Sequence, residues 1–255
     1  MAMIEISKAC ASCGVIVSVN NTLYGHPVKT FGTHEQKLEY LTPVAGGQVE
    51  GCYGLTESGA GSDAASLKCR AELKGDKYII NGAKTFITNG PVARYCVLAA
   101  TTDPSIGYKG VINLIVDMKN TPGFKVGKIE EKMGILASGT SELIFEDAEV
   151  PAANLLGKTG QGFQQMMAGL NAGRIGIGAQ ACGIGRAALE DALAYAKERV
   201  QFGKPISTFQ AIQFKLADMA TELDAAELLL LRAAWMEDNH MDFEMQSAMS
   251  KYYSS

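Results

Sequence analysis

Apolar and polar positions divide the chain into three regimes. From residue 1 to about 50 the pattern reads as helical, with Ile4-Glu5-Ile6-Ser7-Lys8-Ala9-Cys10 running into a small-residue stretch. Asn20-Asn21 is expected to end that helix, and a second short helix near His34–Leu41 is expected to stop before Pro43. The first helix begins at Met1 with almost no leader and no capping residue, which is unusual for the true start of a domain.

From about Gly51 to Leu155 the pattern changes to short runs rich in Val, Ile and Phe, punctuated by turns. Cys52–Thr56 reads as a strand, and Cys69–Leu73 and Tyr78–Asn81 flank Lys74-Gly75-Asp76-Lys77 as a hairpin. Tyr95–Ala100, Val111–Asp117, Phe124–Ile129 and Ser141–Phe145 read as further strands, with loops at Asp103-Pro104 and Thr121-Pro122-Gly123. No helical span long enough for a crossover interrupts them, so an antiparallel barrel or sandwich is expected rather than a parallel sheet. After Gly157 the chain turns helical. Leu189, Leu193, Ala196 and Val200 share helical spacing, as do Leu216, Ala220, Leu223, Leu230, Ala234 and Trp235. Gly203-Lys204-Pro205 breaks these two helices, Ser207 with Gln210 forms a capping-box pattern for the second, and the chain reaches Ser255 within a third helical pattern.

Composition narrows the class. The 255 residues are 47% hydrophobic and 20% charged with a net charge of −4, which excludes collagen-like, coiled-coil and disordered chains. No basic block offers a surface for nucleic acid. The apolar run Ala9–Val19 is too short to span a membrane and Glu5 spoils it as a secretory signal, so no membrane partner is expected. The six cysteines are too sparse for a disulfide scaffold. Cys10 and Cys13 form a C-x-x-C without a second pair, and read as small apolar residues of a helix. A reducing compartment follows, either bacterial cytoplasm or, in a eukaryote, the mitochondrial matrix.

Two glycine patterns mimic dinucleotide fingerprints. Gly59-Ala60-Gly61-Ser62-Asp63-Ala64 follows an apparent strand, but a second strand arrives where the fingerprint needs a helix. Gly176-Ile177-Gly178-Ala179-Gln180-Ala181 lies inside a helical stretch, where small residues allow close packing. The first loop could still offer backbone amides to an anion, with Thr56 and Ser62 adding hydroxyls, or be a plain surface turn. His26, His34 and His240 share no metal-ligand spacing, so no metal is expected, and neither G-x-S-x-G nor a P-loop is present.

Five ordered segments carry a family resemblance. Tyr53-Gly54-Leu55-Thr56-Glu57-Ser58-Gly59-Ala60-Gly61-Ser62-Asp63 looks like the flavin-loop signature of the acyl-CoA dehydrogenases. In the family's order follow Asn81-Gly82-Ala83-Lys84-Thr85-Phe86-Ile87-Thr88-Asn89-Gly90, Lys132-Met133-Gly134, Gly173-Arg174-Ile175-Gly176 and Glu198-Arg199-Val200-Gln201-Phe202-Gly203-Lys204-Pro205. The resemblance covers essentially the whole chain and is nearest the short-chain or short/branched-chain group. It implies an α+β multi-domain fold: a remnant of the N-terminal helical domain (1–50), an antiparallel β-barrel-like middle domain (51–156) and a truncated C-terminal helical bundle (157–255).

The resemblance also implies FAD between the middle and C-terminal domains. It assigns Tyr53, Leu55, Thr56, Gly61 and Ser62 to the flavin loop, and Phe86, Ile87 and Thr88 to the isoalloxazine, with Thr88 near N5. Arg199, Gln201, Phe202, Phe209 and Gln210 resemble residues that reach the FAD of a neighbouring subunit, the Arg199 guanidinium suiting paired pyrophosphate oxygens. Ser62, Asn171 and Arg174 would face the acyl-CoA substrate. Read without the family, Phe86 and Ile87 are ordinary strand core, Arg199 a solvated helix-end charge and Gln210 a cap. An electron-transfer flavoprotein as acceptor and a homotetramer or homodimer are the implied partners.

The implied reaction oxidises a short or branched acyl-CoA to its trans-2,3-enoyl form, by α-proton abstraction and β-hydride transfer to flavin. A desolvated carboxylate with raised pKa takes the proton. In most members that glutamate lies near the C-terminus; in a minority it precedes the G-R-I arginine, where this chain has Gly173. Neither position holds a carboxylate in these residues, and Glu57, Glu142 and Glu198 read as structural. The base is therefore expected to be absent and the chain to be an internal fragment; the alternative function is a non-catalytic flavin- or CoA-binding or structural piece of such an assembly. Ser58 stands where the family usually has proline.

Overall fold

A computed structural model describes residues 1–255. Contacts divide the chain into two compact units, Ile16–Gly173 and Met1–Val15 with Arg174–Ser255. The fold is α+β, with helices toward both ends of the chain and one large sheet between them.

The sheet belongs to the first unit. Its strands are β1 (Gly51–Gly54), β2 (Arg70–Lys74), β3 (Lys77–Thr88), β4 (Tyr95–Thr101), β5 (Val111–Asp117), β6 (Phe124–Ile129) and β7 (Thr140–Pro151). The β2–β3 hairpin turns on Gly75-Asp76, with Gly75 at φ +63°, as its sequence predicts. β3 and β7 run well beyond their predicted ends and pair antiparallel over most of their length. An entirely antiparallel sheet does not form. β4 is parallel to β1, from Gly51↔Tyr95 to Gly54↔Leu98, and meets β2 in parallel at Arg70↔Thr101. Thus β1 and β2 lie end to end along one edge of β4, and the glycine-rich loop bulges out between them.

Cys52, Ala71, Ile80, Leu98, Leu114 and Phe145, drawn from β1 to β5 and β7, share one buried cluster. A flat sheet could not bring one face of so many strands together, so this sheet curls around its core. β4 and β5 are buried on both faces, which is why they read as unbroken apolar runs. Their opposite face, through Val97, Ala99, Val111 and Ile115, packs with Tyr24, Val28 and Met166 in a second cluster.

The N-terminal helices depart from expectation at their ends. α1 (Ala2–Ala9) and α2 (Ala11–Ser18) are separated by Cys10, which is extended at φ −156° rather than helical. Asn20-Asn21 does not end the helix, which continues through a π-helical segment, Val19–Gly25, into α3 (His26–Phe31). After α4 (His34–Gln36), a second π-helical segment, Lys37–Leu41, leads into α5 (Thr42–Ala45), so Pro43 lies inside the helix. Pro27, near the start of α3, and Pro43, near the start of α5, are accommodated alike. The residue before each donates a five-residue bond, His26 N–H to Asn21 O and Thr42 N–H to Lys37 O. The wider π turn moves aside the carbonyl that a proline ring would otherwise strike.

The long helix α6 (Gly162–Glu198) starts in the first unit and ends in the second. The second unit adds a hairpin of β8 (Val200–Gln201) and β9 (Lys204–Pro205), then α7 (Gln210–Asp238) and α8 (Glu244–Ser254). The predicted capping box does not form: Ser207 sits in a 3-10 turn, and the α7 N-cap is Phe209, without a side-chain cap. On α7, Ala226, Leu230 and Ala233 are buried, whereas Ala220 and Trp235 of the predicted stripe are exposed. At Gly178 a Cβ would stand 3.3 Å from Ser254 Oγ and 3.4 Å from Leu230 Cδ1, so the neighbouring helices pack close to it without strictly requiring glycine. Arg186 donates to Glu5 at 2.9 Å and to Glu227, tying α6 to α1 and α7. No helix is long and apolar enough to cross a membrane.

Candidate functional site

Two separated segments, Tyr53–Thr56 at the end of β1 and just beyond it and Phe86–Thr88 at the end of β3, meet at one concavity of about 140 Å³. Tyr53, Leu55, Thr56, Phe86, Ile87 and Thr88, six of the residues named from the sequence, line it. Val19, Leu23 and Leu170 complete the wall. These three were not found from the sequence. Their apolar character on helices is indistinguishable from core packing until the helices are placed.

A β-bulge shapes this end of β3. The register with β7 shifts between Lys84 and Ile87. Phe86 consequently takes φ +58° and projects outward at 64% exposure, while Lys84 and Ile87 on either side point inward. Left-handed backbone is unusual for a bulky side chain and costs on the order of 1–3 kcal/mol. Phe202 repeats the feature in the second unit. With Gly203 it forms the two-residue turn of the β8–β9 hairpin, both at positive φ (+52° and +72°), and Phe202 is 93% exposed.

The loop is fastened from behind. Lys84 Nζ donates to Leu55 O at 3.0 Å and to Glu57 Oε1 at 2.7 Å. Glu57 also accepts from the amides of Lys68 and Cys69, at 2.7 and 2.9 Å. Thr85 N–H donates to Thr56 O at 2.8 Å, and Glu57 and Ala60 exchange backbone bonds across the turn. Neither Gly59 nor Gly61 has a positive φ, and a Cβ at either would meet nothing within 4 Å. The chain's own packing does not require glycine at these positions.

Tyr53 is buried and its hydroxyl has no partner. Burial holds its phenol well above the ordinary range, so it stays protonated. Burial likewise lifts the Cys69 thiol, at the foot of the loop, to about 11. Gly61 and Ser62 are exposed at the loop's tip and are not part of the concavity wall. Asn171 and Arg174 stand three residues apart on α6. Between them is Gly173, where a Cβ would lie 2.9 Å from Leu23 Cδ2.

Arg199, Gln201, Phe202, Phe209 and Gln210 come together around the hairpin. Phe202 and Phe209 meet edge to face at 6.1 Å, and Lys204 Nζ lies 4.7 Å from the Phe209 ring centre. Arg199, Gln201 and Gln210 are exposed. Glu57 has both oxygens engaged as described, and no acidic side chain lines the concavity. No cluster of His, Cys, Asp or Glu could hold a metal ion.

The chain matches three family models: acyl-CoA dehydrogenase N-terminal domain over residues 1–48, middle domain over 52–148 and C-terminal domain over 160–255. It is 50% identical over 255 residues to an acyl-CoA dehydrogenase of Bacillus subtilis, covering all of this chain and 67% of that protein. It is 48% identical to the mitochondrial short-chain specific acyl-CoA dehydrogenase of Mus musculus, covering 100% of this chain and 62% of the relative. The structure of butyryl-CoA dehydrogenase from Megasphaera elsdenii superposes with a TM-score of 0.97 at 44% identity, over 99% of this chain and 66% of that one. A chain from structural work on the electron transferring flavoprotein of Acidaminococcus fermentans gives 0.98 at 49% identity, over 99% and 66%. The chain therefore spans 62–67% of the length of these relatives.

Proposed function

Since the chain belongs to the acyl-CoA dehydrogenase family, we propose that it serves FAD-dependent α,β-dehydrogenation of a short-chain acyl-CoA thioester. The observation that carries this reading is the convergence of Tyr53–Thr56 and Phe86–Thr88 on one concavity. The three-domain division at about residues 50 and 156 is part of the same proposal.

The residues present fit a flavin. The wall is apolar except for a phenol and two threonines, suiting a flat ring system with polar edges. The orphaned Tyr53 hydroxyl lacks a partner that a bound group could supply. The open space at Gly59 and Gly61 leaves room for close approach to backbone. When bound, FAD supplies the acceptor for the substrate's β-hydride.

Thr56 and Thr88 would hold the flavin by hydrogen bonding, and Phe86 and Ile87 would exclude water from it. Tyr53, kept protonated by burial, would keep a hydroxyl hydrogen to donate and cannot serve as a phenolate base. None of these side chains can take an α-proton, because the wall carries no carboxylate. Asn171, Arg174 and Ser62 are the proposed contacts to acyl-CoA. The Arg199, Gln201, Phe202, Phe209 and Gln210 cluster is proposed to reach the FAD of a second copy, and an electron-transfer flavoprotein is the proposed acceptor.

Incubating the chain with FAD and removing free cofactor tests this reading. Retained yellow absorbance is the expected result, and a colourless protein overturns it. Butyryl-CoA with an artificial electron acceptor then tests turnover. Bound flavin without turnover would favour a binding role for these residues, with the proton acceptor supplied from elsewhere.

A further inference from the structure

Lys84 is the inward-facing residue of β3 just before its bulge, wholly buried, and Glu57 opposite it is 9% exposed. Burying an ion pair in a sheet core is expensive, and apolar residues of similar volume would serve packing as well or better. This pair, however, ends at the candidate site. Lys84 holds Leu55 O, Glu57 and, through the next residue's amide, Thr56 O. Glu57 in turn grips the amides of Lys68 and Cys69, where the loop rejoins the sheet. Both ends of the loop are thus fastened to one side chain pair, and Leu55 and Thr56 face the concavity directly above it.

We propose that Lys84 and Glu57 are positioning residues that preset the backbone of Leu55 and Thr56 for flavin. This rests on the flavin-binding reading above. Neither side chain lines the concavity; the pair acts from behind, by fixing the segment that does. Without it, Leu55 O and the Lys68 and Cys69 amides lose their partners, and the loop must find its bound shape at the cost of binding energy.

The test uses flavin fluorescence quenching on wild type, Lys84→Met and the paired variant Lys84→Met/Glu57→Leu, with amide hydrogen exchange on each. Wild type must bind FAD; failure there sinks the flavin reading itself rather than the clamp. Given wild-type binding, the paired variant should remain folded and bind FAD about tenfold more weakly or worse. The Thr85 amide, bonded to Thr56 O, should exchange faster while the Ile80 and Val97 amides of the sheet keep their protection. Wild-type affinity in a folded paired variant would overturn the proposal, as would exchange that rises equally along β3. Should both Met variants fail to fold, Glu57→Gln keeps the volume and one acceptor oxygen, and weakened binding with selective Thr85 exchange is expected of it too; wild-type behaviour in that variant would equally overturn the clamp.

Discussion

The two ends of β3 carry the same kind of ion pair in opposite surroundings. At its start, Lys77 meets Glu149 of β7 at 2.6 Å with side chains 48% and 43% exposed; seven residues on, Lys84 meets Glu57 at 2.7 Å with 0% and 9%. The distances are nearly equal, so separation does not distinguish them. Solvent does. Water screens the outer pair and can replace either partner, whereas a charge left alone at the inner site has nothing to replace its partner. The outer pair decorates a strand, and the inner pair dictates where a loop lies.

The largest effect should come from breaking the inner pair on one side. Lys84→Met should cost about 3–5 kcal/mol, read from urea unfolding, because it strands the Glu57 carboxylate. A cost below 1 kcal/mol would erase the contrast between the two ends. Next comes alkaline pH. Cys69, beside the inner pair, titrates near 11 in the fold and near 9 when exposed, so the unfolded chain loses its proton first. Its contribution is complete below pH 9 and drains away as pH rises toward 11, by up to about 3 kcal/mol. Cys69→Ala should flatten that part of the pH profile; an unchanged slope would remove the thiol from the account.

Between the two pairs lies Gly82, at φ +148° and with Cys69 Cα 2.7 Å from where a Cβ would stand. Gly82→Ala should cost about 2 kcal/mol, since backbone at the closing point of the loop cannot easily shift. The smallest effect belongs to the outer pair. Lys77→Met should cost less than about 1 kcal/mol, and that small loss should vanish in high salt, whereas the inner pair's penalty should persist. Matching salt sensitivities at the two ends would show that burial is not what separates them.

Much of the fold was legible along the chain. The Val111–Asp117 and Phe124–Ile129 strands, the Gly75 hairpin and the helical last third follow local pattern and turn chemistry. Of the six concavity residues Thr56 could be named from the glycine loop alone; the others needed the family motifs, and Phe86 and Ile87 in isolation read as strand core. Val19, Leu23 and Leu170 carried no signal, since an apolar helix residue looks the same facing a core or a cleft. Local rules failed where tertiary packing overrode them. Asn20-Asn21 and Pro43 are helix breakers by propensity, yet one π segment contains the asparagines, the other leads into the helix of Pro43, and the two pack Tyr24 and Tyr40 against the sheet. Ser207 and Gln210 have capping spacing, but the backbone starts α7 at Gln210 with Phe209 as the cap position.

Residue order by itself therefore determined most of the segments that become helix or strand, how the Gly75 hairpin turns, and the family to which the chain belongs. The curl of the sheet, the end-to-end placement of β1 and β2 along β4, and the burial of Lys84 against Glu57 were decided only in three dimensions. The reason is that a lysine's charge is written in the chain while its surroundings are not: twenty-seven residues separate Glu57 from Lys84, and only the closed sheet sets the solvent that decides what their attraction is worth.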